Sequence, residues 1–177
     1  MSGRVSLGSF VPTSGSSRTI AVGVGDLAVA ADASTALVAR ALGSCIAVCI
    51  WDPAVRVAGI LHFLLPESSG HAARRRTQPS AFADSGIPLL LDAAGRHGFV
   101  KSRAVVRLVG GARLAESPVT AFHIGRRNVL AARTILRHFE MSIDRDLTGG
   151  VSPRSVTLSP DSGRLTVRTG TDCLVIE

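Results

Sequence analysis

The 177-residue chain is 46% hydrophobic and 19% charged, a composition typical of a globular protein with one sizeable core. No apolar run reaches the roughly 18 residues of a membrane span, so we expect one domain without membrane insertion. Three cysteines cannot all pair and no signal-peptide pattern is present, so we expect a cytoplasmic location. The net charge of +7 is almost entirely due to arginine and favours an acidic partner, but without an aromatic-studded basic stripe a nucleic-acid partner is not expected.

The start of the chain divides into a tail and two strands. Residues 1–17 are rich in Ser and Gly and show no sustained period, which predicts a flexible N-terminal tail before a domain spanning residues 18–177. Residues 19–24 predict a first strand and residues 27–30 a short second one. No helix follows Gly23 and Gly25, so a turn is favoured there over a phosphate-binding loop.

Two apolar, β-branched stretches, residues 42–53 and 56–66, predict a hairpin of buried strands. A turn centred on residues 52–55 places Cys45 directly opposite His62, with Cβ atoms roughly 4.5–5.5 Å apart. A β-bulge would shift this register. Cys49 falls on the same face opposite Ala58, where no base is available, and is therefore predicted to be a core residue.

The predicted pairing of Cys45 with His62 has a chemical interpretation. A thiol with a pKa near ~8.5 is mostly protonated at neutral pH, and an imidazole within hydrogen-bond reach can take its proton. Gly43 permits a tight turn before the thiol, so that the backbone amides of Ser44 and Cys45 point at an oxyanion. The alternative is simple packing, because cysteine is among the most buried residue types.

The remainder of the chain predicts alternating helices and strands. Residues 67–79, which include Arg74, Arg75 and Arg76, predict a solvated loop, and the functional alternative is a basic rim that steers an acidic partner toward Cys45. Helices are predicted at residues 80–98 and 126–140, and strands at 103–109, 142–146, 155–158 and 164–168. The sequence therefore predicts a single α+β domain with mixed or antiparallel sheets flanked by two or three helices. No histidine has a cysteine or carboxylate at ligand spacing, so no metal site is indicated.

The central stretch also carries a family resemblance. Residues 42–49, Leu-Gly-Ser-Cys-Ile-Ala-Val-Cys, followed by Trp-Asp-Pro at 51–53 and by residues 59–68, resemble the signature of the chemotaxis protein CheD family. Further matching segments lie at residues 22–29, 82–88, 110–112, 124–128 and 146–150, so the resemblance covers about residues 18–170.

The resemblance implies a chemoreceptor glutamine deamidase with a CheD-like cysteine hydrolase fold and no metal or organic cofactor. It implies that Cys45 is the nucleophile and His62 the general base. The third member of the family triad is a threonine six positions before the cysteine, and this position is Ala39 here. His62 then lacks its usual orienting partner unless Ser34, Thr35 or a backbone carbonyl substitutes.

The expected reaction converts glutamine side chains in the cytoplasmic helical region of chemoreceptors to glutamate through a thioester on Cys45. The alternative, favoured by Ala39, is a catalytically weak or inactive adaptor that binds chemoreceptors or a CheC-type phosphatase. The sequence leaves open whether a methylesterase activity on glutamyl esters accompanies deamidation, because one acyl-enzyme serves both reactions.

Overall fold

The structure, a computed structural model, describes residues 18–113 and 124–177, and the predicted tail at residues 1–17 lies outside them. The strands in chain order are β1 (Arg18–Val22), β2 (Asp26–Ala30), β3 (Thr35–Leu42), β4 (Ile46–Asp52), β5 (Val57–Phe63), β6 (Val105–Gly110), β7 (Ile143–Thr148), β8 (Arg154–Leu158), β9 (Leu165–Thr169) and β10 (Asp172–Ile176). The helices are α1 (Ala72–Thr77), α2 (Ala83–Gly95) and α3 (Ile124–His138).

The strands form two five-stranded mixed sheets that pack against each other. Sheet A has the order β1-β3-β8-β9-β10 and sheet B the order β2-β5-β4-β6-β7. The pairs β1–β3 and β6–β7 are parallel, and the other pairs are antiparallel. The predicted α+β class with mixed sheets and flanking helices is confirmed.

Alternation along the central strand β4 explains the two hydrophobic cores. Ile46, Val48 and Ile50 face helices α2 and α3, whereas Ala47 and Cys49 face sheet A. Since both faces of sheet B are covered in this way, β4 and β5 are almost entirely buried, and their sequences are continuous apolar runs. The prediction that Cys49 is a core residue is confirmed, because the side chain lies in the layer between the sheets and the residue is 2% exposed.

The predicted register of the β4–β5 hairpin was wrong by two residues. Asp52 pairs with Val57, so the connection is the four-residue loop 53–56, and His62 lies opposite Ala47 instead of Cys45. The longer loop has a physical cause: the Asp52 carboxylate accepts hydrogen bonds from the amides of Ala54 and Val100 and from Arg103, which fixes Asp52 as the last residue of the strand. A shift of two residues preserves the face, and extending the alternation of β4 by one residue puts Cys45, which lies in the bend before the strand, at the position diagonal to His62.

Residues 72–77 form helix α1, whereas the sequence predicted a loop there. The three arginines are good helix formers, and the amide of Gln78 closes the last turn by donating to the carbonyl of Arg74 at 2.7 Å. Pro79 follows immediately and ends the helix, because it has no amide hydrogen to continue the pattern.

Candidate active site

Cys45 lies in a bend, residues 43–45, between β3 and β4, and this bend is held by backbone hydrogen bonds. The amide of Ala112 donates to the carbonyl of Gly43 at 2.7 Å, and the amide of Gly111 donates to the carbonyl of Cys45 at 2.8 Å. The close approach depends on the glycine at 110, which has φ 114°, because a Cβ there would collide with the Cys45 carbonyl oxygen. The end of β6 therefore fixes the backbone that carries the thiol.

A buried side chain, Asn128 on α3, ties the same bend to the end of β5. Its Nδ2 donates to the carbonyl oxygens of Ser44 and Leu64, each at 2.9 Å, and the residue is 0% exposed. Leu64 is two residues past His62, so one amide group joins the segments that carry Cys45 and His62. No role was predicted for Asn128 from the sequence. The signal that could have identified it is its position on a predicted helix: it is the single asparagine of the chain and lies four residues before Ala132, on the apolar face.

The Cys45 thiol is protonated at rest. The residue is 8% exposed, and desolvation raises the pKa of the thiol more than its own backbone amide lowers it. Within residues 18–113 and 124–177, the amides of Ser44 and Cys45 donate to no backbone carbonyl. These are the amides that the sequence analysis assigned to an oxyanion.

His62 is 1% exposed and presents one free nitrogen. Its Nδ1 lies 3.3 Å from the carbonyl oxygen of Val22. Because a carbonyl only accepts, the proton of the neutral ring is assigned to Nδ1, and Nε2 carries the lone pair. Nε2 is buried, without a hydrogen-bond partner in the described part of the chain. Burial lowers the pKa of His62, opposed by the Val22 carbonyl and by Asp26, so the ring is neutral at pH 7 and suited to act as a base.

Cys45 and His62 are near each other in the fold but share no hydrogen bond at rest. Diagonal positions on adjacent antiparallel strands have Cα atoms roughly 7–8 Å apart, compared with roughly 4.5–5.5 Å for directly opposed ones. The direct pairing predicted from the sequence is therefore replaced by a diagonal one. Hydrogen bonds between catalytic groups are often long in unliganded enzymes and tighten when substrate binds.

The position of the family threonine, Ala39, lies beside the carbonyl that orients His62. Ala39 is 0% exposed and pairs with Val22 in the parallel β1–β3 ladder, in the layer between the sheets. The hydroxyls of Ser34 and Thr35 donate to Asp32 at 2.8 and 3.0 Å, at the start of β3, and do not hold the imidazole. Of the substitutes that the sequence left open, the structure supplies the backbone carbonyl.

The exposed arginines 74–76 of α1 lie close to the site. Gln78, just past the helix, accepts a hydrogen bond from Arg74 at 3.2 Å and donates from Nε2 to the carbonyl of Val24 at 3.2 Å. Val24 belongs to the turn between β1 and β2, two residues after Val22, whose carbonyl bonds His62. Helix α1 is thus attached to the same corner of the fold as His62.

A cleft of about 540 Å³ lies on the other side of the Cys45 bend. Its walls include Gly111, Ala112, Arg126 and Arg133, but neither Cys45 nor His62 lines it. In residues 18–113 and 124–177, no group of three or more His, Cys, Asp or Glu side chains is arranged to hold a metal ion, and no helix there has the length and apolarity to cross a bilayer.

Comparison with known proteins gives consistent matches. The family model described as CheD chemotactic sensory transduction matches residues 64–169. The chain is 44% identical over 151 residues to a probable chemoreceptor glutamine deamidase, CheD 2, of Anaeromyxobacter dehalogenans, which covers 85% of this chain and 94% of that protein. It is 38% identical to probable chemoreceptor glutamine deamidase CheD 1 of Syntrophus aciditrophicus (84% and 92% covered) and 33% identical to chemoreceptor glutamine deamidase CheD of Thermotoga maritima (83% and 89% covered). A span of 151 residues in a chain of 177 includes positions 45 and 62 wherever it begins.

Proposed function

This chain belongs to the CheD family, and on that premise we propose that it is a chemoreceptor glutamine deamidase acting through Cys45 and His62. The observation that carries the proposal is a neutral, buried imidazole whose Nε2 has no hydrogen-bond partner in the described chain, at the strand position diagonal to Cys45, which is 8% exposed. The substrates are glutamine side chains in the cytoplasmic helical region of chemoreceptors, so the protein acts in the cytoplasm.

The first half of the reaction forms a thioester. As Cys45 Sγ attacks the carboxamide carbon of the glutamine, Nε2 of His62 takes the thiol proton. The carbonyl oxygen becomes an oxyanion, and the amides of Ser44 and Cys45, which follow the turn at Gly43, donate hydrogen bonds to it. The C–N bond then breaks, the imidazolium returns its proton to the departing nitrogen, and ammonia leaves.

The second half hydrolyses the thioester. Nε2 of His62, neutral again, takes a proton from water as the water oxygen attacks the thioester carbon. Collapse of this second tetrahedral intermediate breaks the C–S bond, and the imidazolium proton returns to the sulfur of Cys45. The net change is glutamine and water to glutamate and ammonia, without a metal or organic cofactor.

The test uses a receptor cytoplasmic fragment incubated with the purified full-length protein. Ammonia release and conversion of glutamine to glutamate, measured by peptide mass spectrometry, are expected for the wild type and to fall to background for Cys45→Ala and His62→Gln. Cys49→Ala is the matched control, because Cys49 is buried on the same side of sheet B and is predicted to have no chemical role. Deamidation that persists in Cys45→Ala contradicts the proposal.

The three exposed arginines of α1 form a basic rim for an acidic receptor surface. Steering by exposed charge accelerates encounter and is screened by salt. Replacement of Arg74, Arg75 and Arg76 by Gln is therefore expected to lower kcat/KM at low ionic strength and to have little effect at high ionic strength. Equal loss at both ionic strengths contradicts a steering role.

The second candidate function is an adaptor that binds chemoreceptors or a CheC-type phosphatase. Two observations favour it: Ala39 replaces the family threonine, and no hydrogen bond joins Cys45 to His62 at rest. Binding of either partner without ammonia release, and without dependence on Cys45, would select this function over the deamidase.

A further inference from the structure

His62 has one charged neighbour in its own sheet. In the ladder order of sheet B, β5 lies between β2 and β4, so His62 is flanked by Asp26 on one side and Ala47 on the other. Directly opposed residues of an antiparallel pair have their side chains on the same face, with Cβ atoms roughly 4.5–5.5 Å apart. Asp26 thus has the direct cross-strand position that the sequence analysis assigned to Cys45.

A tight turn fixes Asp26 in this position. The amide of Asp26 donates to the carbonyl of Gly23 at 3.1 Å, and Gly25, with φ 80°, occupies the third position of a type II turn. The amide of Gly25 donates in turn to the carbonyl of His62 at 2.7 Å, which locks the turn to β5. The glycine at 23 leaves room for the carboxylate, because a Cβ there would lie 2.8 Å from Asp26 Oδ2.

The carboxylate of Asp26 is therefore folded back over Gly23, the residue after Val22, whose carbonyl bonds Nδ1 of His62. Asp26 is exposed, and it forms no ion pair with any arginine, lysine or histidine in residues 18–113 and 124–177. Its charge is not neutralised by a cation of the described chain and acts on the imidazole beside it.

We propose that Asp26 is a positioning residue for His62, whose carboxylate stabilises the imidazolium that forms each time Cys45 gives up its proton. The proposal rests on the proposed function, which requires that imidazolium twice in each turnover. Ala39 has no hydroxyl that could orient the ring, so the Val22 carbonyl orients His62 and the Asp26 carboxylate supplies the negative charge. Asp26 acts through His62 and does not touch the reacting atoms.

The surroundings of His62 in the described chain contain few other ionisable groups. The segment before β4 contributes the thiol of Cys45, and β4 itself contributes the inert Cys49. From sheet A the facing residues are Val22 and Ala39, and Arg40, next on β3, is exposed. Burial lowers the pKa of His62, and Asp26 is the charged group that opposes this effect.

The first test measures the pKa of His62 directly by NMR of the imidazole, in a Cys45→Ala background where the ring titrates alone. His62→Gln identifies its signal among those of the five histidines. Asp26→Asn, which keeps the size of the side chain, is expected to lower the pKa of His62, and Asp26→Glu to leave it near its starting value. Asp172→Asn, an equal charge change at an exposed position of β10, is the matched control and is expected to have no effect. An unchanged pKa in Asp26→Asn overturns the proposal.

The second test measures turnover. Asp26→Asn is expected to lower kcat by about three- to tenfold, the usual effect of one nearby charge on an imidazolium, with KM unchanged. Gly23→Ala keeps the charge but displaces it, and is expected to shift the pKa and kcat in the same direction. If the wild type releases no ammonia but the pKa of His62 still depends on Asp26, the deamidase proposal fails and the assignment of Asp26 holds. If the wild type is active and neither kcat nor the pKa of His62 changes in Asp26→Asn, the assignment fails alone.

Discussion

The substitution Asn128→Ala tests how much the hydrogen bonds that hold the Cys45 bend contribute to folding and how much to catalysis. The substitution removes the Nδ2 hydrogen bonds to the carbonyls of Ser44 and Leu64. Each carbonyl that loses its hydrogen bond lowers the free energy of unfolding by about 1–3 kcal/mol. Removal of the buried Oδ1 of Asn128, which has no partner in the described chain, raises it by about the same amount, because one unsatisfied buried acceptor disappears. The net destabilisation is about 2 kcal/mol, which lowers the melting temperature of a chain of this size by about 4–8 °C.

The effect of Asn128→Ala on activity is expected to exceed its effect on folding. The bend that carries Cys45 loses the hydrogen-bonded link through Asn128 to Leu64, and a displacement of about 1 Å in a reacting group costs up to about a hundredfold in rate. We therefore expect kcat for ammonia release to fall by about ten- to a hundredfold at a temperature where the variant is folded by circular dichroism. Leu136→Ala is the control, since it removes a buried side chain from the same helix without touching the bend. Equal losses of kcat in the two variants would refute the reasoning.

Three further outcomes are expected. Ala39→Thr restores the hydroxyl of the family triad beside Val22 and is expected to raise ammonia release at some cost in stability, because the position is 0% exposed; unchanged turnover would show that the carbonyl suffices. The pKa of Asp52 is lowered: burial of this carboxyl raises it, but hydrogen bonds from Arg103 and the backbone outweigh burial. The stability from this group is full above the unfolded pKa of about 3.9 and is lost as the pH falls through the folded value, so the deficit of Asp52→Asn in urea unfolding should shrink toward low pH and not stay constant. Burial raises the pKa of Cys49 to about 12, so peptide mass spectrometry of native protein treated with iodoacetamide should show Cys49 unmodified. Cys45 should be modified faster as the pH rises above neutrality. Early modification of Cys49 would contradict its burial.

The strands that the sequence analysis missed show where local patterns are insufficient. Residues 35–42 contain three alanines, which are depleted in strands, and their apolar residues show no clear alternation. They form β3 because β1 and β8 pair with them, and β8 begins more than a hundred residues later in the chain. Strand β10 was likewise missed and is formed by pairing with β9.

The hairpin shows a different limit. Its two strands were evident from their apolar, β-branched runs, but the register depended on Asp52, whose carboxylate is held by Val100 and Arg103 about fifty residues away. A prediction made from the turn residues alone does not include those contacts. The prediction that Cys49 and Ala58 lie on the same face was nevertheless correct, because an error of two residues leaves the alternation of a strand unchanged.

The α+β class, the central hairpin, the main helices, the burial of Cys49 and the family could all be predicted from the sequence, because hydrophobic period, turn residues and an extended signature are properties of contiguous residues. The environment of the site required the fold: Val22 lies at Nδ1 of His62, Asp26 is paired with His62, Ala39 is paired with Val22, and Asn128 holds the bend of Cys45. Those neighbours come from four separate segments of the chain, and only the pairing of strands and the packing of α3 bring them together. The environment of a base, which sets its charge and its free nitrogen, is therefore a property of the folded chain.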